Sequence, residues 1–254
     1  MIRLSNVDLT YGQATEQATL ALHDVNLDIR KNEILTIVGA SGCGKSTLLR
    51  LIAGLLLPTR GEVLVNGQPV REPRRDTGIV FQAPTLVPWA TILDNVLLPQ
   101  RIVGRVSLEL RERAQRLLRT AGLGEFTDRL PRQLSGGMQQ RAAICRALVH
   151  NPDILLMDEP FGALDALTRE TMTLELMRIW AEEPKTIVFV THSITEAVLL
   201  GDRVVVMSPR PGVVREIVQV GLPRPRRFKM EADPEFVRCA ERVRELIFTQ
   251  EEHA

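Results

Sequence analysis

The sequence has little of what would tie it to several function classes. Cys43, Cys145 and Cys239 are three in 254 residues, odd in number and far apart. That excludes a disulfide framework, and with neither a metal-type pair nor a CxxC motif it fits a reducing compartment, the cytosol by default. An excess of one charge is also missing: 32 Lys+Arg against 31 Asp+Glu leave +1, so no global field draws the chain to nucleic acid or to an anionic lipid surface. No apolar run approaches the roughly 20 residues of a membrane span; the longest candidate, Leu51 to Leu57, is interrupted by Gly54. The opening, Met1 to Asn6, has no charged segment followed by an apolar one, so no secretory signal is expected. Internal repeats and low-complexity tracts are absent, and any membrane role is expected to run through a partner.

What is present suffices for a large core, since 44% of the residues are hydrophobic. Short β-type runs open the chain: Ile2 to Leu9, Leu27 to Ile29, and Glu62 to Val65 closed by Asn66-Gly67, a hairpin signal. They predict an antiparallel layer. The runs Ile34 to Val38, Ile154 to Met157, Thr186 to Val190 and Val204 to Met207 are almost wholly apolar or β-branched, as strands buried on both faces of a mainly parallel sheet are. Helical patterns between them imply βαβ crossovers. In the middle, Ser107 can cap a helix with Leu110, Ala114, Leu117, Leu118 and Ala121 on one face, ending at Gly122, and a second helix begins near Ser135 and stops before Asn151-Pro152. Residues 85–153 are therefore expected to be a helical insert between two halves of the sheet domain, 1–84 and 154–222. Beyond them, Leu222 to Arg227 forms a stiff basic connector into Asp233-Pro234, a helix start followed by Phe236, Val237, Ala240, Val243 and Ile247 at helical spacing. The segment 223–254 is expected to dock a helix on the body.

Gly39-Ala40-Ser41-Gly42-Cys43-Gly44-Lys45-Ser46-Thr47 matches GxxxxGK[ST] between a buried strand and a helix. Its glycines let backbone N–H groups turn inward around a β-phosphate, Lys45 reaches the β- and γ-oxygens, and Ser46 offers a hydroxyl to Mg²⁺. A small side chain at Cys43 fits such a loop; a redox-sensing thiol is the alternative. The strand Ile154 to Met157 ends in Asp158-Glu159, which places one acid for Mg²⁺ and the next beside an attacking water. Taken alone, that ending also suits a structural helix cap. These two motifs leave GTPases, kinases and helicases open. Leu134-Ser135-Gly136-Gly137-Met138-Gln139 adds a second anion-binding helix start, one more than a single nucleotide needs from one chain. Two chains arranged head to tail would use both.

Leu134 to Gln139 resembles the signature motif of ABC-type ATPases, and the other family elements follow in order over about residues 1 to 220. The fold implied is α/β, a P-loop NTPase with a mixed RecA-like sheet core, an antiparallel β-layer and a helical insert. The resemblance implies that Tyr11, the only tyrosine, stacks on adenine. It makes Gln82 the loop glutamine near Mg²⁺ that borders the permease-facing surface, Asp165 in Gly162-Ala163-Leu164-Asp165 the residue that signals between subunits, and His192 the switch histidine near the γ-phosphate. Ser135, Gly136 and Gly137 would close over the partner's nucleotide. Glu159, His192 and Gln82 are then catalytic, and Ser46, Gln82 and Asp158 hold the metal. One departure stands out: Met138 occupies a position that is commonly Gln.

ATP and Mg²⁺ are the ligands implied, with a homodimer of ATPase subunits, a permease dimer and, through the permease, a solute-binding protein as partners. Nucleic acid is not expected. The place implied is the cytoplasmic face of the membrane. Pro209 to Val214 and Leu222 to Arg226 resemble the nitrate, sulfonate and taurine uptake branch, which points to an importer of a small anion or related organic compound. A soluble ABC ATPase and an exporter ATPase are the alternatives. Trp89 is open between the core and the permease interface.

Overall fold

A computed structural model of the chain describes residues 1–12 and 18–248; residues 249–254 of the expected C-terminal segment lie outside these. The chain runs β1 (Ile2–Tyr11), β2 (Thr19–Ile29), β3 (Ile34–Gly39), α1 (Lys45–Ile52), β4 (Arg60–Val65), β5 (Gln68–Pro69) and β6 (Thr77–Val80). Three helices follow, α2 (Ile92–Val103), α3 (Leu108–Thr120) and α4 (Gly136–Leu148). The chain then returns through β7 (Ile154–Asp158), α5 (Ala166–Glu182), β8 (Thr186–Val190), α6 (Ile194–Leu200), β9 (Arg203–Met207), β10 (Val214–Gln219) and α7 (Pro234–Phe248).

Two sheets result. One is antiparallel in the order β2-β1-β4-β5, and the other has the order β10-β9-β3-β8-β7-β6, parallel except for β10 at its edge. The parallel strands are buried throughout on β3, β7, β8 and β9, and their side chains alternate strictly between two cores. Leu35, Ile37, Leu156 and Val188 face the antiparallel sheet and α1, whereas Ile34, Val38, Met157 and Phe189 face α5, α6 and α7. A third cluster, Ile92, Val96, Leu97, Ala114, Leu118, Ala142 and Cys145 among others, joins α2, α3 and α4. The Asn66-Gly67 turn is present, with Val65 opposite Gln68, and Ser107 caps α3 by accepting from the Leu110 N–H at 3.1 Å.

The structure departs from the sequence reading at several elements. β1 extends past Leu9 to Tyr11, and β2 begins eight residues before Leu27. The reason is polar: Asn6 and Asp24 sit at φ 48° and 43° and register shifts interrupt the ladder, so bulges break the alternation a strand search needs. α2 was not expected. Pro99 lies inside it and reads as a breaker, yet Thr91 caps its start, accepting from the Asp94 N–H at 3.1 Å, and its apolar face is buried. In α7, Val237 points outward at 40% exposure while Cys239 and Leu246 face inward beside Phe236 and Val243. Two of the connector's arginines, Arg224 and Arg226, are not free surface cations. Arg224 pairs with Asp202 at 2.7 Å and lies over the Trp180 ring; Arg226 is buried and donates to Val198 O, Leu199 O and Gly201 O, satisfying carbonyls at the end of α6. Burial pushes the Arg226 guanidinium down to about 10.

Candidate functional site

Because β3, β6, β7 and β8 are parallel neighbours, their carboxyl ends open on one edge of the sheet, where ligands of open α/β sheets bind. The first side chains beyond those ends come from four separate motifs. After β3 the loop turns through Gly39 and Gly42, with φ 75° at Gly42, and enters α1 through Gly44 at φ 100°. A side chain at Gly44 would bring its Cβ within 2.6 Å of Leu22 Cδ2, so both backbone angle and space call for glycine there. Lys45 is 5% exposed and donates to Gly39 O at 2.8 Å and Ala40 O at 2.9 Å, which fixes its ammonium over the loop. Ala40, Ser41 and Gly42 remain exposed. Cys43 is 1% exposed, a small buried side chain rather than the accessible thiol that redox sensing requires.

From the end of β7, Asp158 accepts a hydrogen bond from Ser46 Oγ at 2.9 Å. A hydroxyl and one carboxylate side by side are what Mg²⁺ takes from a protein when substrate phosphates supply other ligands. The next residue, Glu159, is held at φ 47°, with its N–H donating to Val190 O. Its two carboxylate oxygens are divided: Gln82 Nε2 donates to Oε2 at 3.1 Å, and His192 Nε2 lies 2.5 Å from Oε1. Thus the residue after β6, the pair ending β7 and the histidine after β8 meet at one carboxylate. Tyr11 ends β1, 40% exposed, with its hydroxyl 3.1 Å from Thr47 Oγ1.

These groups line an open pocket of about 440 Å³ bounded by Tyr11, Ser41, Gly42, Gly44, Lys45, Ser46, Thr47, Gln82, Glu159 and His192. Thr19, Ala21 and Arg210 line it too, and the sequence reading did not assign them to the site. The signal for Arg210 lay in the topology: β9 is parallel to β3, so the Pro209-Arg210-Pro211 loop after it must reach the same edge.

Ser135, Gly136, Gly137 and Asp165 do not line this pocket. Ser135 and Gly136 are exposed, and Ser135 Oγ caps α4 by accepting from the Met138 N–H at 3.3 Å. Asp165 caps α5 through the Thr168 N–H at 3.0 Å, and the bonds from Thr168 hold its carboxyl below the usual range. The two turns touch each other: a Cβ on Gly137 would lie 3.2 Å from Leu164 Cδ2. Met138 leaves the solvent in part and packs on the α2–α4 cluster. α4 is also tied to the Gln82 loop, since buried Gln140 donates to Phe81 O at 3.0 Å and Arg146 to Thr85 O at 2.7 Å. Trp89 is 81% exposed, which removes it from the core.

The chemistry open to this arrangement is phosphoryl transfer from a bound polyphosphate to water, with a cation and backbone donors on one side and a carboxylate base on the other. Comparison with known proteins leads the same way. The ABC transporter family matches residues 22–162. An uncharacterized ABC transporter ATP-binding protein of Methanocaldococcus jannaschii is 53% identical over 206 residues, 81% of this chain and 77% of its own length. A taurine import ATP-binding protein of Rhizobium johnstonii is 43% identical over 259 residues, 99% of this chain and 98% of its own. Among solved structures, the dimeric post-hydrolysis state of an ATP-binding cassette bound to ADP and Pi is similar with a TM-score of 0.78 and 40% identity, covering 86% of this chain and 98% of that one.

Proposed function

Since this chain belongs to the ABC transporter family and is an ABC-type ATPase, we propose that it is the ATP-hydrolysing subunit of an importer, energising uptake of a small solute through a separate permease. The observation that carries the reading is the meeting of Gln82, Glu159 and His192 beside the Lys45 loop, while the Ser135 turn stays exposed and outside the pocket. In this reading Tyr11 stacks on the adenine, Lys45 and the backbone N–H groups of residues 39–47 cradle the phosphates, and Ser46, Asp158 and Gln82 hold Mg²⁺, which supplies Lewis-acid neutralisation of phosphate charge when bound. Glu159 orients a water in line with the γ-phosphorus and takes its proton as the new P–O bond forms and the bond to the β-phosphate oxygen breaks. His192, fixed against Glu159, stabilises charge on the transferring group.

Ser135, Gly136 and Gly137 of a second chain close over that phosphate, and Asp165 carries the state of one site to the other. The unit is a homodimer, supported by the dimeric form of the similar solved cassette. Among the described residues no helix is long and apolar enough to cross a membrane, so the permease dimer supplies the path. A solute-binding protein delivers to it, and this chain sits on the cytoplasmic face. We place the permease contact on the 85–153 segment, where Trp89 is exposed on a loop fixed by buried Asn95; residues 1–84 and 154–222 act as the ATPase core and 223–254 as its brace. The solute class is a small anion or related compound such as nitrate, a sulfonate or taurine, supported by the import name of the Rhizobium relative. Nucleic acid has no part in it.

Glu159→Gln tests the assignment. It is expected to retain ATP binding, accumulate a closed dimer on size exclusion, and lose roughly 10² to 10⁴ in hydrolysis, the usual worth of a general base. Hydrolysis at the wild-type rate removes Glu159 from that role. The same variant, tagged and recovered from native membranes with ATP, is expected to bring down a multi-span permease; soluble partners alone would overturn the transport assignment.

A further inference from the structure

We propose that Arg210 is a second cation for the nucleotide's polyphosphate, presented to the pocket by a loop that is built onto the phosphate loop. This rests on the reading of the pocket as a nucleotide site. The loop between β9 and β10 is fixed at both ends and in its middle. The Ser208 N–H donates to Val213 O at 3.0 Å, the Val213 N–H to Ser208 Oγ at 3.1 Å, and the Ser208 hydroxyl reaches Pro209 O and Pro211 O. Pro209 and Pro211 lock their own φ angles on either side of Arg210.

Gly212 then seats the loop on its neighbours. Its N–H donates to Ala21 O at 2.9 Å, its carbonyl accepts from the His23 N–H at 3.0 Å, and a Cβ there would lie 1.9 Å from Cys43 O. Only glycine permits so close an approach of two backbones. The consequence is a rigid backbone with one long, exposed side chain at its tip, directed along the phosphate loop: Arg210 Nη2 lies 3.5 Å from Gly42 O.

That single long contact uses one of the five N–H donors of a guanidinium, and Arg210 has no carboxylate partner among the described residues. Among the described residues that line the pocket, Lys45 and Arg210 are the lysine and the arginine. Lys45 is buried and committed to the loop's inner carbonyls, whereas Arg210 is free to swing from Gly42 O onto phosphate oxygens. A planar fork on a fixed base suits bidentate contact with phosphate, and a polyphosphate carries more negative charge than one ammonium offsets. Arg210 is thus assigned to binding and not to the chemical step.

The test is equilibrium binding of ATP and of ADP to the full chain and to Arg210→Gln and Arg210→Lys, by calorimetry, with Lys45→Ala as the reference for a lost phosphate contact. Arg210→Gln is expected to weaken both nucleotides about tenfold at low salt, the scale of one charge-assisted hydrogen bond. The gap should narrow as salt is added, Arg210→Lys should fall between, and melting without nucleotide should not move. Unchanged ATP and ADP affinity in Arg210→Gln overturns the proposal, as does a loss of affinity that appears only with a lowered melting temperature of the free protein. If the wild-type chain itself binds no ATP, the nucleotide reading fails first, and that result is visible separately.

Discussion

Glu159 sits where few side chains can, at φ 47°, a left-handed conformation that costs a non-glycine residue on the order of 1–3 kcal/mol. The surrounding bonds to Val190 O, Gln82 and His192 hold it there, and the carboxylate is aimed by that strain. Behind His192 a buried group is placed less comfortably. Glu196 is 7% exposed, accepts from Thr191 Oγ1 at 2.5 Å and faces Arg169 at 3.6 Å; burial outweighs both and raises its pKa. A carboxyl with a raised folded pKa binds its proton more tightly folded than unfolded. It therefore favours folding below its unfolded value of about 4.3, and that contribution is lost as pH rises through the folded pKa. The melting temperature of the wild type minus that of Glu196→Gln is expected to fall as pH rises from the unfolded carboxyl value of about 4.3 through the raised folded one; a difference flat with pH would show that burial does not govern Glu196. Arg210 was not legible as part of the pocket, nor Glu196 as a buried carboxyl bonded to Thr191, because each owes its place to what β8 or β9 docks against. Lys45, Asp158 and Glu159 were legible because a buried strand and its loop are adjacent in sequence and fix them locally.

At the scale of elements, apolar periodicity identified the strands that are buried on both faces, found only the Leu27 to Ile29 end of β2 and missed α2, because register shifts interrupt the β1–β2 ladder and Pro99 lies within α2. α7 was recognised by its period, but its facing residues were off by part of a turn: Val237 was counted inward and Cys239 was not. A cysteine at 0% exposure behaves as a small hydrophobe, and an apolar count over the face would have favoured it had it been scored so. α7 seats Phe236, Cys239, Val243 and Leu246 on the core beneath α6 and β10, on the face of the sheet away from α1. Phe236→Ala is accordingly expected to cost about 3 kcal/mol or more in stability, as aromatic truncation in a core does. ATP affinity below the melting range should stay at the wild-type value. A denaturant titration gives the first quantity and calorimetry the second; unchanged stability would mean that α7 does not brace the body.

For the whole molecule the question is why the Lys45 loop and the Ser135 turn, both proposed to contact phosphate, do not meet within one chain. The Lys45 loop lines the pocket, whereas Ser135 and Gly136 are exposed on the turn that touches the Leu164 loop. In the proposed dimer the exposed start of α4 offers its N–H donors to a phosphate held by the other chain, and the two-fold pair satisfies both sites at once because each gives the other what it lacks. Inactivation of opposite halves separates this arrangement from a chain that works alone. Lys45→Ala removes the phosphate cation and Ser135→Arg blocks the signature turn, so each variant alone is expected to hydrolyse almost no ATP. Mixed in equal amounts, half of the dimers contain one chain of each kind, and in those the unaltered Lys45 loop of one faces the unaltered Ser135 turn of the other. Activity should return to roughly a quarter of the wild-type level if the two sites act independently, and wild-type turnover per chain should rise with protein concentration. A mixture no more active than its separate parts, with turnover per chain constant over dilution, would leave each chain hydrolysing within itself and the Ser135 turn without a nucleotide to close on.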